Sequence, residues 1–273
     1  MERIKQALAR ARQEQQQGKK ILLAEVKKHP ALQKPDLNFK YTQTKIIETD
    51  PKILEKNRIL FDRSNDRALA AYKLLRTQIE QRMLARNWST LAITSPGPDH
   101  GKSLTSINLA ISLARTHHHT VLLVDLDLRK PTIHRYFGFT PKKGIHEVLM
   151  EKVPLSEILF NPGIERLVVA PGHDTVFNSS EILASPDMRD FVHEVKHRYP
   201  ARYVIFDLPP VLATDDAMAF SPYVDTTLLV LEDGVTTKDQ LKQTMEMLKG
   251  VNIIGTVLNK SENMKGSYYY YYY

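Results

Sequence analysis

From about residue 90 to residue 259 the chain alternates two hydrophobic patterns. Short, nearly continuous apolar runs recur at Leu91 to Thr94, Thr120 to Leu126, Arg166 to Ala170, Tyr203 to Asp207, Thr226 to Leu231 and Ile253 to Leu258. Most are separated by segments with apolar residues at three- and four-residue spacing, notably 102–115, 186–199 and 236–249. Runs that are apolar throughout predict strands buried on both faces, and the intervening periodicity predicts helices that cover them. The expected fold is therefore α/β, with a mostly parallel central sheet flanked by helices on both faces. A ligand site is expected at the carboxyl ends of the strands. Just upstream, Ser64-Asn65-Asp66 reads as a helix start, and Ala70, Leu74, Leu75 and Ile79 continue at helical spacing.

The pattern is looser before residue 61. Ile4, Ala7, Leu8 and Ala11 predict a short amphipathic helix over 1–17. Residues 18–60 mix small apolar patches with lysine pairs, Pro30, Pro35 and Pro51, and read as a mostly extended linker or arm. Charge sharpens this division. Residues 1–60 hold 14 basic and 7 acidic residues, while the rest of the chain holds 24 of each sign. The formal +7 thus belongs to an extension, not to the body. Three segments are expected: a basic extension over 1–60, a globular body over 61–260, and a flexible tail over 261–273.

Composition excludes several classes of function. The chain of 273 residues has no cysteine, which removes disulfide frameworks, thiol catalysis and Cys-ligated zinc. No apolar run approaches the roughly 20 residues of a membrane-spanning helix, and the N-terminus lacks a secretory apolar core. A soluble, intracellular protein with at most a peripheral membrane role is expected. The neutral body offers no stacking platform or recognition helix for nucleic acid.

Three strand-end motifs carry candidate chemistry. The first is Ser95-Pro-Gly-Pro-Asp-His-Gly101-Lys102-Ser103, between a strand and a helix. A phosphate needs backbone N–H donors, a cation and a helix N-terminus. Gly101 allows close approach, Lys102 can reach the β- and γ-phosphates, and the Ser103 hydroxyl suits Mg²⁺. Pro96 stands where the usual motif has its first glycine. The second is Val124-Asp125-Leu126-Asp127-Leu128-Arg129, where two carboxylates at a strand end can hold a cation or take a proton. The plain alternative is an Asp that caps the next turn. The third is Tyr203-Val-Ile-Phe-Asp207-Leu-Pro-Pro210, an apolar strand ending in a single Asp suited to Mg²⁺. Finally, Tyr268 to Tyr273 are all tyrosine, half of the twelve in the chain.

Over residues 61–273 these motifs resemble those of the bacterial tyrosine kinases of polysaccharide export systems, P-loop ATPases with Walker A, A′ and B motifs. Thr94-Ser95-x-x-Pro98-x-x-Gly101-Lys102-Ser103, with Asn108-Leu109-Ala110, is similar to their Walker A region. Val124 to Arg129 with Pro131, His134 and Phe137 is similar to Walker A′, and Asp207-x-Pro209-Pro210 with Asp216-Ala217 to Walker B. Asn178-x-Ser180-Glu181-Ile182-Leu183-Ala184-Ser185 is similar to a segment the family carries between them. The departures are Asp99 for a loop glycine, His100 for a glutamate and Leu104 for a threonine. A fourth lies upstream, where a Glu-Ala-Tyr-Arg-x-x-Arg self-association motif reads Ala70-Ala71-Tyr72-Lys73-Leu74-Leu75-Arg76.

The resemblance implies an ATP-dependent protein-tyrosine autokinase using ATP and Mg²⁺. Lys102, Asp125, Asp127 and Arg129 would be catalytic, with either Asp125 or Asp127 as base. Pro98, Asp99, His100, Gly101, Lys102, Ser103, Leu104 and Asn259 would bind ATP. Ser103, Asp125 and Asp207 would hold the metal. Tyr268, Tyr269, Tyr270, Tyr271, Tyr272 and Tyr273 would accept phosphate, and Tyr72, Lys73 and Arg76 would contact a neighbouring copy in a homo-oligomer. It also implies a transmembrane polysaccharide co-polymerase as activator, a tyrosine phosphatase in opposition, and a place at the inner face of the membrane through that partner. Two rival readings are a partition- or septum-type switch ATPase, whose signature lysine would fall at Gly97, and a non-catalytic scaffold. His117-His118-His119 reads as a solvated turn, and the single Trp88 as cover for the sheet or a loop edge.

Overall fold

The computed structural model describes residues 44–61, 67–116, 119–198 and 202–261. The expected helix over 1–17, the helix start at 64–66, most of the histidine run and the tyrosine tail lie outside the described residues. The strands are β1 (Lys45–Ile46), β2 (Thr90–Thr94), β3 (Thr120–Asp125), β4 (Phe160–Asn161), β5 (Leu167–Ala170), β6 (Arg202–Asp207), β7 (Thr226–Glu232) and β8 (Ile253–Asn259). They form one sheet in the order β1-β4-β5-β3-β6-β2-β7-β8. Neighbouring strands run parallel except β4 against β5. The helices are α1 (Pro51–Lys56), α2 (Arg67–Ala85), α3 (Lys102–Ala114), α4 (Ile133–Tyr136), α5 (Ile145–Met150), α6 (Leu155–Ile158), α7 (Ser179–Leu183), α8 (Pro186–His197), α9 (Asp216–Phe220) and α10 (Lys238–Met247).

The two-residue alternation of a strand splits the central runs between two cores. Leu91, Ile93, Val121, Leu123 and Ile205 meet α2 and α3 residues such as Ile79, Met83, Ile107 and Ile111 on one face. Ala92, Leu122, Val124, Val204 and Phe206 meet Met188, Val192 and Phe220 on the other. All six strands read from the sequence are present. So are α3, α8 and α10, and α2 covers the spacing of Ala70 to Ile79. α8 shows why its start was legible: Ser185 accepts a hydrogen bond from Met188 N, and Pro186 occupies the first turn. Trp88 packs against the first core, with the Arg86 guanidinium 5.0 Å from its ring centre.

One expectation is overturned in part. Within the stretch read as an extended arm, residues 45–60 fold onto the body. β1 pairs with β4. Asp50 caps α1 by accepting from Lys52 N at 2.8 Å. Leu54, Ile59 and Leu60 are buried. Asn108 of α3 ties the segment down, accepting from Leu60 N at 3.0 Å and donating to Arg58 O at 3.2 Å. The sequence hid this because a two-residue strand and a six-residue helix are too short to show a period. No helix among the described residues is long and apolar enough to cross a membrane.

Candidate active site

The strand order builds the site. β6 lies between β3 and β2, so the carboxyl ends of the strands carrying the three motifs stand side by side. Asp125 and Asp207 are register partners across β3 and β6, and Ile93 pairs with Asp207 from the other side. The loop after β2 then crosses this edge and opens α3. Gly101 precedes the helix with φ 86°, and no side chain caps it, so the first-turn N–H groups are free to meet an anion. Asp99 is also left-handed, with φ 60°. Asp tolerates that region better than most residues, which explains how the loop does without glycine there. The end of β8 braces the loop: Asn259 Nδ2 donates to His100 O at 2.9 Å, and Lys260 Nζ to Asp99 O at 2.7 Å.

At the foot of α3 the polar side chains converge. Lys102 Nζ lies 2.7 Å from Asp127 Oδ2 and 3.5 Å from Asp207 Oδ2. Ser103 Oγ donates to Asp207 Oδ2 at 2.5 Å, and Ser106 Oγ to Asp207 Oδ1 at 2.9 Å. Burial by itself would lower the Lys102 pKa, but the charges of Asp207 and Asp127 outweigh it and hold the lysine protonated. Burial, then Asp207, pushes the Asp125 carboxyl up to about 7. Burial likewise raises Asp207. Burial lowers His100.

The two A′ carboxylates are not equivalent. Asp125 Oδ2 accepts from the backbone N–H groups of Thr132 and Ile133, each at 3.0 Å, and so caps α4. The plain alternative raised for this motif is therefore present in the structure. Asp127 lies beyond the end of β3 and faces Lys102. Arg129 Nε lies 3.4 Å from the buried Asp216 carboxylate, which also accepts from Ser179 Oγ at 2.7 Å. That ion pair leaves the guanidinium partly exposed.

Lys102, Ser103, Asp127 and Arg129 line a cleft of about 1030 Å³, and Asp125, Ser106 and Asp207 are buried beneath it. Pro98, Asp99, Gly101, Lys102, Ser103 and Leu104 form its loop side, and Asn259 lies beside them. His100 is buried behind the loop. Glu55 to Leu60 line it as well, a wall the sequence reading missed. Ser106 was also missed, although it is one helical turn beyond Lys102 and so faces the same strand edge. Asp207 and the Ser103 hydroxyl beside it supply hard oxygen donors of the kind a divalent cation takes. Of the expected self-association residues, Tyr72 packs against the core beside Thr105, Arg76 Nη1 donates to Ser112 O at 3.2 Å, and Lys73 is exposed.

A family model described as an AAA domain matches residues 91–259. The tyrosine-protein kinase YwqD of Bacillus subtilis is 34% identical over 203 residues, covering 74% of this chain and 84% of that protein. The kinase domain of the Escherichia coli tyrosine kinase ETK superposes with a TM-score of 0.69 at 29% identity, covering 84% of this chain and 94% of that one. The cell division ATPase MinD of Pyrococcus furiosus superposes with a TM-score of 0.52 at 23% identity, covering 64% of this chain and 74% of that one, a likeness of fold alone.

Proposed function

The chain belongs to the bacterial tyrosine-protein kinases, and from that premise we propose that it transfers the γ-phosphoryl group of ATP to Tyr268 to Tyr273 of a neighbouring copy of itself. The observation that carries this reading is the meeting of Lys102, Asp127 and Asp207 below the free N-terminus of α3, in a cleft that Ser261 also lines. The tail departs from that point. At about 3.4 Å per extended residue, Tyr268 can reach roughly 24 Å from Ser261 and Tyr273 roughly 41 Å. That length of chain supports transfer to a second copy.

Phosphoryl transfer needs positioning and charge neutralisation more than covalent help. Lys102 leaves Asp127 for the β- and γ-phosphates, and the first-turn N–H groups of α3 bind the same oxygens. Asp127, released, accepts the proton of the incoming tyrosine. We assign this role to Asp127 because Asp125 is committed to two backbone N–H groups. Arg129, held by Asp216, steadies the acceptor side. Ser103, Asp207 and the Oδ1 oxygen of Asp125, which among the described residues accepts only from Asp127 N at 3.3 Å, would hold Mg²⁺, which when bound neutralises phosphate charge.

The same reading takes in a membrane-spanning co-polymerase as activator, an opposing tyrosine phosphatase, control of exopolysaccharide assembly, and a site at the inner membrane face. Lys73, exposed on α2, is assigned to the homo-oligomer, whereas Tyr72 and Arg76 are turned to the body and would support that face from within. The test is a mixture of full-length Lys102→Ala chains with active chains truncated after Ser267. Phosphate on the Lys102→Ala tail, read by intact mass, is the expected result. Its absence refutes transfer between copies, and ATP hydrolysis with no phosphotyrosine in the wild type refutes the tail as substrate.

A further inference from the structure

Phe177 is 88% exposed, the most exposed large hydrophobic side chain among the described residues. It is not on a loose loop. On one side Val176 is buried, and its N–H donates to Leu128 O at 2.8 Å. On the other, Asn178 opens α7, and the buried Ser179 donates to Asp216. Asp216 in turn holds Arg129. Both flanks of Phe177 are thus fastened to the Leu128-Arg129 turn, whose neighbours Asp127 and Arg129 line the cleft. The result is a phenyl ring displayed in water and fastened to the turn that carries Asp127 and Arg129. A large apolar side chain left in water forgoes burial, which a partner's side chain can recover.

We propose that Phe177 is an acceptor-binding residue whose ring receives one tyrosine of the Tyr268 to Tyr273 run of a second copy while another tyrosine of that run enters the cleft. The inference rests on the transfer reading above and names what guides its acceptor. Two observations favour this occupant. The tail supplies consecutive aromatic rings, and aromatic pairs attract one another beyond the burial of their surface. An extended strand also turns alternate side chains to the same side. Counted along the run, four of the six tyrosines can occupy the cleft while the tyrosine two positions away meets Phe177. Docking therefore tolerates shifts of register within the run. It also explains why the run need not carry any other specificity residue.

The experiment is binding of a fluorescent peptide with the sequence of residues 266–273 to the full-length chain without ATP, read by anisotropy. Phe177→Ala is expected to weaken binding about five- to tenfold, and Phe177→Trp to retain it. With ATP present, Phe177→Ala should raise the KM for the peptide while kcat holds. Melting temperature checks that the variants fold. Equal affinity for wild type and Phe177→Ala, or no binding of the peptide by the wild type, overturns the proposal. Peptide binding that depends on Phe177 without any phosphate transfer leaves the docking role standing and refutes the kinase reading of the tail instead.

Discussion

Lys102 Nζ and Asp127 Oδ2 form a 2.7 Å ion pair at the base of the cleft. The phosphate-binding lysine is thus held by the carboxylate proposed as proton acceptor. A polyphosphate must take the ammonium from Asp127, and in doing so it frees the carboxylate for tyrosine. On the proposed mechanism, binding of ATP and activation of the acceptor are one event. Asp127→Asn should tighten ATP binding several-fold by removing the competitor for Lys102. It should also lower the rate of tyrosine transfer about 10²- to 10⁴-fold, the usual worth of a general base. Calorimetric titration with ATP and a phosphotyrosine time course check the two arms. Undiminished transfer would refute the assignment.

Asp125 and Asp207 sit side by side in the β3–β6 register. The folded chain keeps a proton on Asp125 to about pH 7, whereas the ordinary value is 3.8. The folded state therefore binds more protons than the unfolded one between those values. Stability from this group is greatest below about pH 4 and is lost as pH rises toward 7, by up to about 1.4 kcal/mol per pH unit. Asp125→Asn should flatten that part of the profile. Thermal melts of nucleotide-free protein across pH 4–8 provide the comparison, and matching slopes in wild type and variant would contradict it.

A Cβ added at Gly101 would sit 2.1 Å from Asn259 Nδ2, on a backbone with φ 86°. Gly101→Ala therefore meets both a clash and a left-handed penalty of about 1–2 kcal/mol. ATP affinity should fall at least tenfold. Removing the clash in Gly101→Ala/Asn259→Ala should recover only part of it, because φ is unchanged. Full recovery in the double variant would show that the backbone conformation carries no cost.

Asn108 joins α3 to the 58–60 segment through Leu60 N and Arg58 O. Asn108→Leu leaves these groups without a partner, at about 1–3 kcal/mol for each that stays buried. The melting temperature should fall. Trypsin should cut sooner after Arg58, because the cleft wall is no longer held. Unaltered digestion would mean that the apolar contacts of Leu54, Ile59 and Leu60 suffice.

Much of this protein is written in short-range pattern. The strands ending at Asp125 and Asp207 are short, β-branched-rich apolar runs between helical segments, the form of a strand in a sheet covered on both sides. Gly101-Lys102-Ser103 announced a phosphate loop because a strand precedes it and a helix follows. These signals are local: side-chain period, backbone freedom and helix entry depend on neighbours within a few residues. Tertiary structure decided what no local pattern carries. It placed β6 between β3 and β2, so that carboxylates more than eighty residues apart share one buried edge and shift each other's protonation. It turned Asp125 to the backbone of α4 and Asp127 to Lys102, a distinction invisible in Asp-x-Asp. It fixed Arg129 on Asp216, left Phe177 standing in water beside them, and folded residues 45–60 into the cleft wall. Each of these depends on partners distant along the chain, brought together by burial of the two cores and not by the preference of any single segment.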